Sequence, residues 1–569
     1  MNITYWKGHC AGGIIGTVYL ASTACAALSL SPSATIDSLL PGEVLEPISN
    51  LVAKLDAHIT TWKVPESNIY LTLNECLAMA LEYNLGLTID RYNPPSAAEG
   101  VRFAWSAFDP QYSMNFQWNG SLSPRPFQKT YANGATEDKI GNTRSDTLDF
   151  GGQVAGKFMT GMQYTFGMGQ NQTRVNPGGG MFNPSANSYN QATISVPILN
   201  GFGLGVNMAP IRIARNSWRA AQVQLEAAVQ DIILTVTRAY WVLYYFREEA
   251  AAQQYTLELA YELLKVNEAK VKVGMLAPLD VTKAQAQIAT DEEQLLVSLN
   301  AVRDAEDALR LLINLKMDDL MLPRALRTVQ HRLIPLEKPD VFDIPSDEPY
   351  FIQLALQNQQ VIEIAQLSLK NTRETLKVAK NNLLPTVNLL GGLGLDGTGG
   401  DYGHAYDDQY SGRHPNWTLG VEFSMPILYL EPVATFRQAR YAERQAELGV
   451  EQAQQNVAIG VRIALRGVET NRKRIDATRE ATRLSREQLS AEEEKFKVGQ
   501  STTFDVLYYQ QQLATSLRNE IRALSDWRVS VTVLQRSTGR IIVDNNIIIE
   551  DYYEPPPLGA PTLADRIWQ

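Results

Sequence analysis

Cysteine is nearly missing. Three residues in 569, at positions 10, 25 and 76, cannot build a disulfide framework, and no zinc-type spacing is present. Basic charge is also short: 51 Lys and Arg face 61 Asp and Glu, a net charge of −10. That balance argues against nucleic acid, which needs a basic face, and an acidic surface is its plain reading. After the first 26 residues no segment offers about 20 uninterrupted apolar residues, so no membrane-spanning helix is expected. The richest stretch, Ile232 to Phe246, contains Arg238 and follows Asp231. Glycine and proline are missing from long internal stretches, where Ala and Gln abound. With 20% charged and 45% hydrophobic residues, that is the profile of long packed helices rather than several ordinary globules.

The N-terminus has the parts of a secretory signal. Lys7 supplies a weak positive start, Ala11 to Leu20 is short and apolar, and Ala24-Cys25-Ala26 is a candidate cleavage site. Cys25 could instead carry lipid, although Ser22 stands where a lipoprotein signal usually has Leu.

What is present, twice, is a pattern. Lys272-Val273-Gly274 followed by Asp280-Val281 recurs 225 residues later as Lys497-Val498-Gly499 followed by Asp505-Val506. Val196-Pro197-Ile198-Leu199 is echoed by Met425-Pro426-Ile427-Leu428, and Phe108-Asp109-Pro110 by Leu383-Leu384-Pro385. Upstream of each tip, small and apolar residues step by threes and fours. Ile211, Ala214, Trp218, Ala221, Leu225, Ala228, Ile232, Thr235, Ala239 and Val242 shift by 225 onto Phe436, Ala439, Glu443, Ala446, Val450, Ala453, Val457, Gly460, Ala464 and Gly467. Such a 3.5-residue period predicts a coiled-coil seam. Helices are expected from about Val206 to Val273 and from about Val433 to Val498, each about 100 Å long at 1.5 Å per residue. Return helices follow from Pro278 towards Leu315 and from Thr503 towards Ser537. Gly460 and Gly467 are expected as local costs or close-packing points, not stops.

Between the helices the period changes to two. Tyr112, Met114, Phe116 and Trp118 alternate with polar neighbours, as do Trp417, Leu419, Val421, Phe423 and Met425. Half-buried strands fit this, in a soluble sandwich or, in an exported chain, with one face on lipid and the other on water. The first copy carries 46 surplus residues with a second alternating pair about a short turn at Met159-Thr160-Gly161. Loops are expected from Gly120 to Thr143 and from Asn171 to Asn187. Four strands are the minimum and six remain open. Neither number closes a barrel, and open edges are not viable in lipid, so closure would need further copies of the chain.

The expected division is 1–26 signal peptide, 27–69 linker, 70–320 first repeat, 321–349 equatorial linker, 350–540 second repeat and 541–569 periplasmic tail. Within the repeats, strands are expected at about 110–198 and 385–426 and helical hairpins at 206–318 and 431–538. Strand–helix junctions are expected at Pro110, Pro197, Gly201, Gly203, Pro385 and Pro426, where proline and glycine permit sharp changes of backbone direction.

Other signals carry less. His404 and His414 share a segment with Asp401, Asp407 and Asp408, and a hydrated loop outweighs a metal site there. Met159, Met162 and Met168 fit alternating strand positions better than a copper route. Tyr240, Trp241, Tyr244, Tyr245 and Phe246 lie at packing positions of a helix rather than forming a drug site. No nucleophile–base pair, phosphate loop or ligand cluster emerges, so no catalytic residue, metal or cofactor is expected.

The order of these features resembles the TolC family of outer-membrane efflux proteins. Leu71-Thr72-Leu73-Asn74-Glu75-Cys76-Leu77 looks like its opening helix, Asn200-Gly201-Phe202-Gly203-Leu204-Gly205 like its strand-to-helix crossing, and the two tips are the most specific match. The resemblance implies an α+β membrane protein. Its parts would be a trimeric 12-stranded outer-membrane β-barrel, a long antiparallel α-helical coiled-coil barrel through the periplasm, and an equatorial belt built from Pro323 to Pro349 and the C-terminal tail. It implies a passive export channel in the outer membrane. Its partners would be a periplasmic adaptor, docked on Lys272, Val273, Gly274, Lys497, Val498 and Gly499, and an inner-membrane transporter. Asp505 matches a constriction aspartate and Asp280 its acidic partner on the other hairpin. Two positions depart: Tyr508 stands where a second constriction acid is found, and Ser501 where a gating arginine is found, so the family's arginine lock is not expected. Read without the resemblance, Asp280 and Asp505 are equally explained as acids stabilising helix starts. The competing function is a trimeric coiled-coil scaffold or adhesin with a β-rich head.

Overall fold

A computed structural model describes residues 67–547, apart from 133, 178–180, 315–330 and 346. The signal segment, Cys25, the start of the expected belt at Pro323 and the tail beyond 547 lie outside the described residues.

Strand β1 (Ser67–Leu71) enters first and pairs in parallel with β6 (His331–Pro335). Thr72 then begins α1 (Leu73–Tyr83) with a reciprocal capping box to Glu75, satisfying two amides that a helix start otherwise leaves unpaired. Helices α2 (Leu85–Asp90) and α3 (Asn93–Trp105) follow. Pro110 stops the helical run, and four antiparallel strands come next: β2 (Gln111–Thr130), β3 (Thr136–Lys157), β4 (Gln163–Asn176) and β5 (Ser185–Pro197). A short α4 (Leu204–Asn207) leads into α5 (Ala209–Lys272), which returns as α6 (Pro278–Ile313). The second half runs α7 (Glu348–Asn358), α8 (Gln360–Asn381), β7 (Thr386–Gly399), α9 (Tyr402–Tyr410) and β8 (Pro415–Ser424). The hairpin α10 (Leu430–Lys497) and α11 (Thr503–Ser537) and a last turn, α12 (Ile541–Asp544), complete it.

The six long strands form one sheet in the order β2-β3-β4-β5-β7-β8, with β2 and β8 at its edges. Its register separates the side chains. One face carries Tyr112, Met114, Phe116 and Trp118 opposite Val154, Gly152, Phe150 and Leu148, and continues through Phe166, Ile194, Leu393 and Leu419. The other carries Ser113, Gln153, Thr165, Thr193, Thr418 and Glu422. The apolar face is open, with Met114, Phe116, Trp118, Trp417 and Leu419 all more than 70% exposed. Among the described residues no helix is long and apolar enough to cross a membrane.

Three expectations need correction. Of the segments expected as loops, Gly120–Thr143 is largely strand, and Asn171–Asn187 is strand at its two ends, 171–176 and 185–187. β2 and β3 stay paired out to Thr130 and Thr136, beyond the last β3–β4 pair at Arg144 and Asn176. An antiparallel ladder is closed by backbone groups and tolerates polar side chains, and Pro124 and Pro126 share one parity of an edge strand, where proline is admissible. The segment with His404 and His414 contains a helix, not a bare loop: Asp401 caps it by accepting from the His404 amide at 2.9 Å.

The third correction concerns the helical seam. On the expected line of α5 Ile211 and Ala221 are buried, but Thr235, Ala239 and Val242 are exposed or half-buried, and Val236, Tyr240, Leu243, Ala250, Ala260 and Asn267 beside them are buried instead. Along α10 Ala439, Ala453 and Ala464 of the expected line are buried, and so are Val461, Leu465, Val468, Ile475, Ser485 and Glu492, each displaced by 225 from its counterpart on α5. At Tyr240, Leu243, Leu465 and Val468 larger apolar side chains fill the interior beside the small ones, because volume and apolar area set burial there. Gly460 and Gly467 have open space where a side chain would stand, so they are not close-packing points within this chain.

The main core surrounds Tyr240 and Trp241, with Leu71, Leu77, Leu309, Ile313, Leu333 and Ile541. Tyr240 donates to the Leu71 carbonyl at 3.2 Å and accepts from the Glu337 amide at 3.1 Å, and burial pushes its hydroxyl up to about 12. A second core gathers about Trp527, Ile475 and Val468, with Phe342 edge-on to Trp527 at 5.1 Å.

Candidate functional site at the hairpin tips

Both long hairpins end in the same turn. After Lys272, Val273 caps the helix and Gly274 takes φ +80°. The Gly274 amide donates to Val271 at 2.9 Å and the Met275 amide to Lys270 at 2.8 Å. After Lys497, Gly499 takes φ +80°, its amide donates to Phe496 at 3.2 Å, and the Gln500 amide donates to Lys495 at 2.9 Å. Paired 5→2 and 6→1 bonds with glycine in the left-handed region make a Schellman ending. Lys272 and Lys497 sit in the last turns, where cations favour the helix dipole.

The return helices begin differently. Pro278 opens α6 with no side-chain cap, and Asp280 in its first turn pairs with Lys283 at 3.1 Å. Thr502 opens α11 with a full capping box: its hydroxyl donates to Asp505 Oδ2 at 2.6 Å and accepts from the Asp505 amide at 3.3 Å. Asp280 and Asp505 therefore both have helix-start partners of their own, and no contact joins the two carboxylates.

Contacts between the tips come from residues the sequence reading did not single out. Lys270 Nζ donates to the Phe496 carbonyl at 2.5 Å and lies 3.7 Å from the centre of the Phe496 ring. Asn267, fully buried, donates Nδ2 to the Asp280 carbonyl at 3.4 Å and accepts from the Thr503 hydroxyl at 3.5 Å. Around them Leu263, Leu489, Phe496, Val506 and Leu513 form a small core. One signal could have found Asn267: it is a polar residue on the buried line of α5, where an amide needs partners. Ser501, at the position expected to lack an arginine, has a role of its own. With Lys495 at 3.0 Å, its hydroxyl holds the Glu492 carboxyl below the usual carboxylate range.

Beyond this core the tips expose an apolar crown. Val273, Met275, Leu279, Val498, Phe504 and Tyr508 are all more than half exposed. At the opposite end, Pro110, Pro385 and Pro426 flank strand ends and Pro197 closes β5. Gly201 and Gly203 take φ +80° and +96°, the Gly203 amide donating to Thr160 in the β3–β4 turn at 2.8 Å. Asn207 ties this crossing by donating to the Gly201 carbonyl at 2.8 Å. Among the described residues no group of His, Cys, Asp or Glu could hold a metal ion.

The chain matches the family model described as Outer membrane efflux protein over residues 161–315 and 351–540. It is similar to the outer membrane protein TolC of Escherichia coli strain K12, 25% identical over 363 residues, which span 59% of this chain and 69% of that protein. In structure it resembles the CmeC outer membrane channel of Campylobacter jejuni, with TM-score 0.57 and 18% identity over 82% of this chain and 86% of that one. The outer membrane protein VceC of Vibrio cholerae is similar at TM-score 0.57 and 16% identity, over 82% of this chain and 96% of that one. At such identities the structural likeness is one of fold, with its mixture of long helices and sheet.

Proposed function

The chain belongs to the outer membrane efflux protein family, and from that membership we propose that it is the passive export duct of a tripartite efflux or type I secretion system. It resides in the outer membrane and extends into the periplasm. The observation that carries the reading is one chain's union of a sheet with an open apolar face and two helical hairpins about 100 Å long that end in matched tips.

The sheet has two free edges, β2 and β8. Unpaired backbone is not tolerated in lipid, so edge-to-edge closure by further copies follows, and three copies would supply about 18 strands. The apolar face then meets lipid and the polar face lines water. The hairpins continue the duct, and the exposed crown with Lys272, Val273, Gly274, Lys497, Val498 and Gly499 offers a periplasmic adaptor an apolar surface with cationic flanks. Symmetry copies of Asp505, with Asp280 behind them, would ring a narrow opening with negative charge and favour cations. Residues 70–320 and 350–540 act as two similar halves of the wall. Transport of this kind needs no chemistry, and no enzymatic step is assigned.

The test is purification in detergent followed by planar-bilayer recording. Heat-labile trimers with ion conductance are expected. A soluble monomer without conductance would overturn the duct and leave a scaffold in its place.

A further inference from the structure

The chain between β7 and β8 does not loop away from the sheet. It forms α9 and comes down on the apolar face. Ser188 Oγ donates to the Ala405 carbonyl at 2.7 Å and is 2% exposed, and Gln409 Nε2 donates to the Leu395 carbonyl at 3.1 Å. Tyr402 meets Phe150 edge-on at 5.7 Å. A side chain built on Gly397 would overlap the Ala405 carbonyl, so the helix rests directly on the β7 backbone. By register Phe150, Ser188 and Gly397 all belong to the apolar face. Here that face is interrupted by polar residues, with Gln170 and Ser188 paired and Asn190 one position along. Polar side chains facing hydrocarbon are unfavourable; α9 satisfies Ser188 through the Ala405 carbonyl, and Asn190 Oδ1 accepts from the β7 amide of Leu395 at 3.0 Å.

Beside α9 lies an open slot of about 420 Å³. Its floor includes Met114, Gly152, Phe166 and Met168, and Tyr406 and Tyr410 form one wall. The two tyrosine rings are 4.6 Å apart and both are at least half exposed; with Tyr402 they occupy one flank at i, i+4 and i+8. Further along the strands the apolar face gives way, after the Trp118–Leu148 pair, to Asp146 and Arg144, bonded at 2.9 Å. Two further apolar pairs separate the Met114–Gly152 floor from that charge on β2 and β3, whereas α9 stands at the level where β7 and β8 reach their remote ends. A tyrosine, with an apolar body and a polar tip, suits that level.

We propose that α9 is an interfacial helix on the outside of the barrel, and that the slot holds an acyl chain of the lipid A that forms the outer leaflet. The inference rests on the reading that the polar face lines the lumen. Three features favour this occupant. The slot is continuous with the lipid-facing surface; its wall α9 joins Gly399 of β7 to Pro415 of β8, the strand ends remote from the periplasmic hairpins, and so stands on the outer-leaflet side; and a second copy joining edge to edge extends the sheet in its plane, leaving this face open.

Spin labels at single cysteines replacing Tyr406, Leu419 and Thr418 in the reconstituted full chain would test the placement. Labels at 406 and 419 should be quenched by oxygen, and the label at 418 by a water-soluble nickel complex. If 419 behaves as 418 does, the assignment of faces fails and the inference falls with it. If 418 and 419 behave as expected but 406 follows 418, only the inference fails. Native mass spectrometry with lipid A and phosphatidylethanolamine added in equal amounts would test the slot. Met168→Trp, which fills the floor, should reduce lipid A retention about fivefold, and Tyr410→Ala, on the exposed flank, should do the same if the first variant does not assemble. Equal retention by all variants, or phosphatidylethanolamine retained in place of lipid A, would overturn it.

Discussion

Lys270 in the last turn of α5 donates to the main-chain carbonyl of Phe496 in the last turn of α10, at 2.5 Å, and lies over the ring of the same residue. One cation thus joins the ends of the two longest helices. It satisfies a carbonyl near a helix C-terminus while neutralising part of that helix's dipole.

Replacing Lys270 by Met keeps an unbranched stem and removes both the donor and the charge. A charge-assisted bond with cation–π contact at a partly exposed site is worth about 1 kcal/mol. Hydrogen exchange at the amides of 496–501 should quicken, and single-channel recordings should show more frequent opening. If both measurements match the parent, the tie is idle.

Gly274 and Gly499 both adopt φ +80° with open space around them. Substitution by Ala there is strained by backbone conformation alone, at about 1 kcal/mol each. Thermal melts of Gly274→Ala, Gly499→Ala and the double variant should show additive losses. Asn at either site should cost less, because it tolerates the left-handed region.

Asp505 has two possible duties, as cap partner and as gate charge, and two variants separate them. Asp505→Ala removes both, while Thr502→Ala removes the reciprocal cap and leaves the carboxylate. Each should cost about 1 kcal/mol in stability. A rise in conductance confined to Asp505→Ala assigns the effect to charge; an equal rise in both assigns it to the helix start.

Asp291 is 1% exposed, with Gln287 Nε2 donating to it at 2.9 Å. Burial pushes its carboxyl above the usual carboxylate range, the Gln287 bond opposing. A carboxyl raised in the folded state is best tolerated when protonated and costs stability as pH rises from its unfolded value through the raised one. Asp291→Asn should therefore stabilise the fold by about 1 kcal/mol at pH 7, raising the melting temperature, and lose that advantage below about pH 4. Melts of both proteins across pH 3 to 8 would measure the difference.

Burial pushes the Cys76 thiol up to about 12. The thiolate is the reactive form, so alkylation at pH 8 followed by peptide mapping should leave Cys76 unmodified until the chain is unfolded. Rapid native modification would contradict its place beside Leu77 and Tyr240.

Much of the local structure was legible because it depends on near neighbours. The stretch without glycine or proline after Pro210 is occupied by α5, and the alternation from Tyr112 to Trp118 by β2. The Lys-Val-Gly pairs stand where two helices end and turn. At the candidate site the acids were visible at their helix starts, but Asn267, Lys270 and Phe496 were not. Each has a partner in the other hairpin, more than 200 residues away. Polar composition misled at Gly120–Thr143, because a backbone ladder can close under polar side chains as well as apolar ones.

By itself the sequence determined where helices run, where they turn and which strand parity is apolar, since periodicity and glycine act over a few residues. Only the tertiary structure decided which residues of the long helices are buried at mid-length: burial falls on Tyr240 and not on Ala239 because Leu71, Leu77, Leu309 and Leu333 gather around the ring. Only it could seat α9 on the apolar face: that seating depends on Ser188 in one strand and two glycines in another meeting Ala405, and such a meeting exists only once the sheet has formed.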